Sequence, residues 1–269
     1  MISHAILTSL FSALVWLVVT GWLRKRHTLS KIMAVLLFAL PLLVGNLYYY
    51  GWMAPRQQQQ AAVAAAQDRL ATLPVWRTLQ KQQPALYRQA NDQLLRDLAA
   101  GVPLPQAIDR LRPLSADLLN QRINAARDED LLRYMHISLE EMKAMRQIGA
   151  DACFRFLFPQ VKGGINLSDV LPKTLTDSEL LAMDTLFQHS DGADQPMDLA
   201  QGRVKLQGVV RTLYGRWGSD LQTLNTPAEA GVDEARLCDM TIDLYQSVLA
   251  LPDKDSANVL RIIISGTGN

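Results

Sequence analysis

Two long stretches without a formal charge, set close together near the amino-terminal end, constrain this chain more than any other feature. Residues Ala5 to Leu23 and Ile32 to Met53 run for 19 and 22 positions with no Asp, Glu, Lys or Arg. At about 1.5 Å of rise per residue, a helix of either length matches the roughly 30 Å of a bilayer's hydrocarbon core. The pattern predicts a transmembrane hairpin, with spans at about 5–23 and 32–53 inside an anchor of residues 1–55. Three of the five Trp lie in this fifth of the chain. Trp22 at the end of the first stretch, and Tyr48, Tyr49, Tyr50 and Trp52 at the end of the second, are the amphipathic rings that favour the membrane–water boundary. Pro41 predicts a kink in the second span, and Asn46 is a polar group expected to seek a helix partner.

Charge fixes the expected orientation. Residues 1–56 hold Arg24, Lys25, Arg26, Lys31 and Arg56 and no acid, a charge of +5, which leaves 22 of the 27 bases against all 26 acids in the remainder, a net of −4. A near-neutral total thus hides a basic apolar head and a mildly acidic body, a division that argues against a soluble cytoplasmic enzyme and against a nucleic-acid binder. Arg24, Lys25, Arg26 and Lys31 sit between the two stretches, and positive loops stay on the cytoplasmic side. The expectation is a two-span protein of a bacterial inner membrane, with its amino terminus and everything after Ala54 in the periplasm. A cleaved signal peptide fits less well, because Met1–His4 lacks a base and the first apolar core ends in Trp-Leu-Arg-Lys-Arg.

Beyond the head the chain reads as all-α. Gln57–Gln60 followed by Ala61–Ala66 is a run of good helix formers, read as a helical stalk over residues 56–69. From residue 70 to 269, apolar residues recur three and four apart between Pro and Gly breaks, the pattern of an α-helical domain. Helices are expected over Pro84–Ala100, from Pro105, from a Ser115 cap, and from a Thr176 start. A long helix carrying Leu132, Met135, Leu139, Met142, Ile148 and Phe156 along one side is expected to end before Pro159. Met197–Trp217 is expected to be helical despite Gly202, Gly208 and Gly215, each costing about 1 kcal/mol relative to Ala. Val259–Ile264 is β-branched enough for a strand, but no second strand pattern exists to pair with it, so it too is assigned to a helix.

Cys153 and Cys238 are the only cysteines. In an oxidising compartment they are expected to pair, closing a loop that the chain-entropy model values at about 4–5 kcal/mol. Two buried thiols or a reactive thiol are the alternatives. His136 and Glu140 share a helical face, and His189 with Asp191, Asp194 and Asp198 forms an acidic stretch. Neither set meets a metal-site spacing, and no metal, cofactor or small-molecule ligand is expected. The sequence also lacks GxSxG, GxxxxGK[ST], GxGxxG and HExxH motifs. The function expected is therefore a non-catalytic, membrane-anchored protein displaying a helical domain to another envelope protein or to a copy of itself. The alternative is a periplasmic enzyme acting on wall or lipid substrates through carboxylates such as Glu140, Glu141 or Asp151. The loop at 160–175, with Lys162-Gly163-Gly164, is either a binding element or a connection.

Overall fold

The computed structural model describes residues 14–22, 25 and 31–265, and every regular element among them is helical. The chain divides into two compact units, residues 1–65 and 66–269.

In the first unit, α1 (14–22) and α2 (Lys31–Tyr48) are followed by a five-residue π-helical turn, Tyr49–Met53, and by the start of α3 (Ala54–Thr72). No helix among the described residues is long and apolar enough to cross a membrane. Residues 5–13 and Leu23 of the first apolar stretch, and Arg24 and Arg26 of the basic loop, lie outside the described residues, while the π turn divides the second stretch. Leu14, Val18, Ile32, Val35, Leu40 and Leu47 are all more than 60% exposed. Helix α2 continues through Pro41. Asn46 Nδ2 donates to the Leu42 carbonyl at 2.8 Å, so its own helix supplies the partner expected from another. Pro55 falls in the first turn of α3, where a missing donor costs little.

The second unit begins within α3, at the buried Ala66 and Leu70. It continues through α4 (Pro74–Gln82), α5 (Pro84–Ala99), α6 (Leu104–Asp109), α7 (Arg112–Arg122), α8 (Asp128–Ile148), α9 (Ala150–Leu157), α10 (Pro159–Lys162) and α11 (Leu167–Val170). Helices α12 (Lys173–His189), α13 (Leu199–Trp217), α14 (Glu234–Leu249) and α15 (Asp253–Ser265) complete it, with a 3₁₀ segment at Gly218–Asn225. Helix α8 is the centre: Leu131, Leu132, Met135, Leu139, Met142 and Met145 are buried along it, and α9, α12, α14 and α15 pack around it.

Several boundaries move for identifiable reasons. The long helix expected to reach Pro159 breaks at Gly149, whose φ of 157° and ψ of 166° belong to a region essentially reserved for glycine. Ile148 is consequently half exposed rather than buried, and α9 starts afresh at Ala150. Helix α7 begins at Arg112 with Pro113 in its first turn, so Ser115 is not the cap. Helix α12 starts at Lys173, after Pro172, rather than at Thr176. Asp198 caps α13 by accepting from the Gln201 N–H at 2.9 Å.

Buried polar groups tie the helices together. The Arg261 side chain is 1% exposed; its Nη2 donates to the Ala126 carbonyl at 2.6 Å and lies 2.7 Å from Asp128 Oδ1, locking α15 to the α7–α8 connection. Thr78 Oγ1 donates to the buried Asp184 at 2.6 Å, and His189 Nδ1 lies 2.7 Å from the buried Asp130, joining α12 to α4 and α8.

Candidate functional cleft

An open cleft of about 1070 Å³ lies within the second unit, between α5–α7 on one side and α9–α11 on the other. The first wall is built on a small core of Leu70, Ala90, Leu94, Ala107 and Leu111. Gln93 and Asp97 lie on the same side of α5 as the buried Ala90 and Leu94 and line the cleft at its edge; α6 adds Asp109, and the following turn and helix add Arg110 and Asp117. The second wall rests on Met145, Ala152, Cys153, Leu167, Leu171 and Cys238. Cys153 and Cys238 meet there at disulfide distance, with Cα atoms 6.1 Å apart. Helix α9 buries Cys153 on that side and carries Arg155 and Phe156 at the cleft, where Ile165 and Asn166 join them.

Polar contacts hold both walls in place. Arg110 Nη1 donates to Asp97 Oδ1 at 2.7 Å. Arg155 Nη2 donates to the Gly164 carbonyl at 2.5 Å, and its Nε to that of Gly163 at 3.4 Å, fastening the turn after α10. Gly163 makes that turn with φ 80°. On the flank, Lys162 Nζ bridges Asp151 at 2.8 Å and Glu234 at 2.6 Å. The ammonium holds the Asp151 carboxyl below its ordinary range, and the two carboxylates, Asp151 foremost, raise Lys162 above its own.

Both guanidinium groups of the cleft are thus committed to groups of this chain, while acceptors remain. Asp97 Oδ2 and Asn166 Oδ1 are buried without a hydrogen-bond donor, although Asn166 Nδ2 donates to Asp169 Oδ2 at 2.6 Å. Asp117 is exposed and engaged by no described residue. The cleft thus combines partly buried Phe156 and Ile165 with charged groups of both signs, Asp97, Asp109 and Asp117 with Arg110 and Arg155.

The residues singled out from sequence fall elsewhere. Glu140 pairs with Lys143 at 2.9 Å, Glu141 is buried, and Asp151 belongs to the Lys162 bridge, so these carboxylates do not converge on one cleft. His136 is exposed on α8. His189, Asp191 and Asp198 face different partners: Asp130, Arg122 and the α13 amino terminus. No group of three potential metal ligands occurs among the described residues. Lys25 is helical and exposed, and Lys31 opens α2. Trp22, Tyr48, Tyr50 and Trp52 are exposed. Tyr48 stacks on Trp52 with centroids 5.2 Å apart, Tyr49 meets Tyr50 edge-on at 5.1 Å, and the Arg56 guanidinium lies 3.7 Å from the Trp52 ring centre. Sequence reasoning had marked the 160–175 loop but missed Asp97, Asp117 and Phe156, which read locally as ordinary helix positions. Compared with known proteins, the chain matches no family model, no curated sequence and no solved structure.

Proposed function

We propose that this is a membrane-anchored protein of the bacterial inner membrane whose helical domain, held in the periplasm, binds another envelope protein. The observation that carries the reading is the outward display of apolar side chains along α1 and α2. A solvated protein rarely leaves so many large aliphatic side chains uncovered; a contiguous apolar surface of this kind is covered by lipid or by a partner. The uncharged runs 5–23 and 32–53, the basic residues between them, and the aromatic group Tyr48–Trp52 with Arg56 support lipid as the cover. A disulfide-distance cysteine pair supports an oxidising location for the domain. Its open cleft, partly apolar and lined by charged groups, supports binding by the domain.

The test is membrane fractionation joined to thiol labelling. The protein is expected to stay with membranes through alkaline carbonate washing. Its thiols are expected to resist an impermeant maleimide until reduced, then react in spheroplasts without lysis, with Cys153→Ser and Cys238→Ser each exposing the other thiol. Release by carbonate, or free thiols reached only after lysis, would overturn the anchor or the orientation respectively.

A further inference from the structure

We propose that the cavity between α4 and the end of α12 binds a phosphate monoester, its dianionic phosphate clamped by Arg77 and Lys81 and hydrogen-bonded by the Gln82 amide. The cavity is separate from the cleft between α5–α7 and α9–α11, and binding there needs neither the anchor nor the orientation proposed above.

Charge points to an anion. Residues 69–91 hold Arg69, Arg77, Lys81 and Arg88 and no acid, a local +4 in a body whose net charge is −4. Helix α4 sets Arg77 and Lys81 one turn apart, so both exposed side chains share a face, and both line the cavity. Neither is engaged by any described residue. Like charges four residues apart repel, and an anion held between them turns that repulsion into attraction. Two carboxylates lie at the wall, and both are already engaged. Asp191 accepts from Arg122 Nη1 at 2.9 Å, which makes that pair neutral. Asp184 is buried behind the lining, its Oδ1 taken by Thr78 Oγ1 at 2.6 Å and its Oδ2 by Gln188 Nε2 at 2.8 Å. Counting Asp184 as a full charge still leaves an excess of positive charge, and it is the two cations that reach the open space.

Donor supply and size narrow the anion to a phosphate. A phosphate monoester carries about −1.5 to −2 at pH 7 and presents three strong acceptor oxygens. Arg77 offers a planar fork of N–H groups and Lys81 an ammonium, while half-buried Gln82, whose amide is bonded to no described residue, adds two further N–H groups. Two cations match this dianion better than the single charge of a carboxylate. The volume, about 600 Å³, lies within the roughly 300–1000 Å³ of small-molecule sites and admits a phosphate with a small organic body. The bonds from Thr78 and Gln188 to Asp184 join α4 to α12 and hold the two sides of the cavity in place before a ligand arrives.

Isothermal titration calorimetry on the full chain in a neutral maltoside detergent tests this. The probe is phenyl phosphate, phenyl sulfate is its singly charged counterpart, and empty micelles are subtracted. Phenyl phosphate is expected to bind one-to-one with a Kd below about 1 mM, and about tenfold or more tighter than phenyl sulfate. Arg77→Gln and Lys81→Gln should each weaken it about tenfold or more, by loss of a charge-assisted contact, with unchanged helicity and melting temperature. Arg88→Gln removes the same charge from the same basic segment outside the cavity lining and should leave the affinity unchanged. No saturable binding, equal affinity for the two probes, or wild-type affinity in both Arg77→Gln and Lys81→Gln would overturn the site. An equal loss in Arg88→Gln would overturn it as well, by tracing the binding to the general field of the segment. Dihexanoyl phosphatidic acid, a short-chain lipid with the same phosphate monoester, separates the sources. Arg77-dependent binding tighter than that of phenyl phosphate assigns the site to a lipid headgroup, and weaker or Arg77-independent uptake assigns it to a soluble phosphorylated compound.

Discussion

Three glycines on α13 show how one residue type answers to different surroundings. A Cβ built on Gly208 or Gly215 meets nothing within 4 Å, whereas one on Gly202 comes within 2.6 Å of Ile262 Cδ1 and 3.4 Å of Asn258 Cβ. Gly208→Ala and Gly215→Ala are therefore expected to raise unfolding free energy by about 0.5–1 kcal/mol each, the helix-propensity gain. Gly202→Ala is expected to lower it, because displacing the buried Ile262 costs about 1–3 kcal/mol and exceeds that gain. Denaturant midpoints measured side by side check both signs. From sequence the three looked alike, as equal liabilities in a helix, since the neighbour that distinguishes Gly202 lies sixty residues away on α15. Arg261 makes the same point. It sits between Ile262-type neighbours in an apolar run, yet it is buried and satisfies the Ala126 carbonyl and Asp128. Arg261→Ala should cost about 3 kcal/mol, from unmet carbonyls and the space left behind, read from urea unfolding.

At the scale of elements, α9 and α14 are joined in two chemically different ways. The cysteine pair spans 85 residues of sequence, and closing such a loop is worth about 4–5 kcal/mol in the chain-entropy model. Cys153→Ser is expected to lose stability of that order under oxidising conditions and a smaller amount, from burying a hydroxyl in an apolar cluster, relative to the reduced wild type, which comparison with and without reductant would show. The second link is the exposed bridge of Lys162 to Asp151 and Glu234. Asp151 is held below its ordinary value of about 3.9, so its contribution is present above that pH and lost as pH falls through the lowered value. Lys162 is raised above its ordinary value of about 10.4, so its contribution is present below that pH and lost as pH rises through the raised value. The stability difference between wild type and Lys162→Met should accordingly be flat across neutrality and shrink at both extremes, small throughout because the bridge is solvated. Tyr245 adds an alkaline effect. Burial raises its phenol, and the stability of the neutral form is lost as pH climbs through that raised value. Tyr245→Phe should resist unfolding above about pH 10 better than the wild type, relative to their difference at neutrality.

For the molecule as a whole, the two units differ in what covers their apolar surface. Residues 66–269 bury their own, in several clusters built around α8 and its neighbours, whereas Leu14, Val18, Ile32, Val35, Leu40 and Leu47 of α1 and α2 stay uncovered. Residues 66–269 expressed alone are expected to remain soluble without detergent and to unfold in a single cooperative transition by circular dichroism. The full chain is expected to require detergent. Aggregation of the shorter chain would show that the first unit contributes to its core.

The all-helical class, the helix starts at Pro84 and near Pro105, and the apolar stripe of α8 from Leu132 to Met142 were legible in the sequence, because period and start signals are local and repeat along the chain. So was the unusual apolar head, since nineteen and twenty-two uncharged residues in succession need no neighbour to be noticed. Proximity was not legible. Asp97, Asp117 and Phe156 lie in separate helices, and only packing on two different small cores brings them to one cleft. The break at Gly149 was hidden because glycine tolerates both helix and the extended left-handed region, and the choice between them is made by how α8 and α9 pack. What a residue is follows from sequence; what it faces is decided by contacts between residues far apart in the chain.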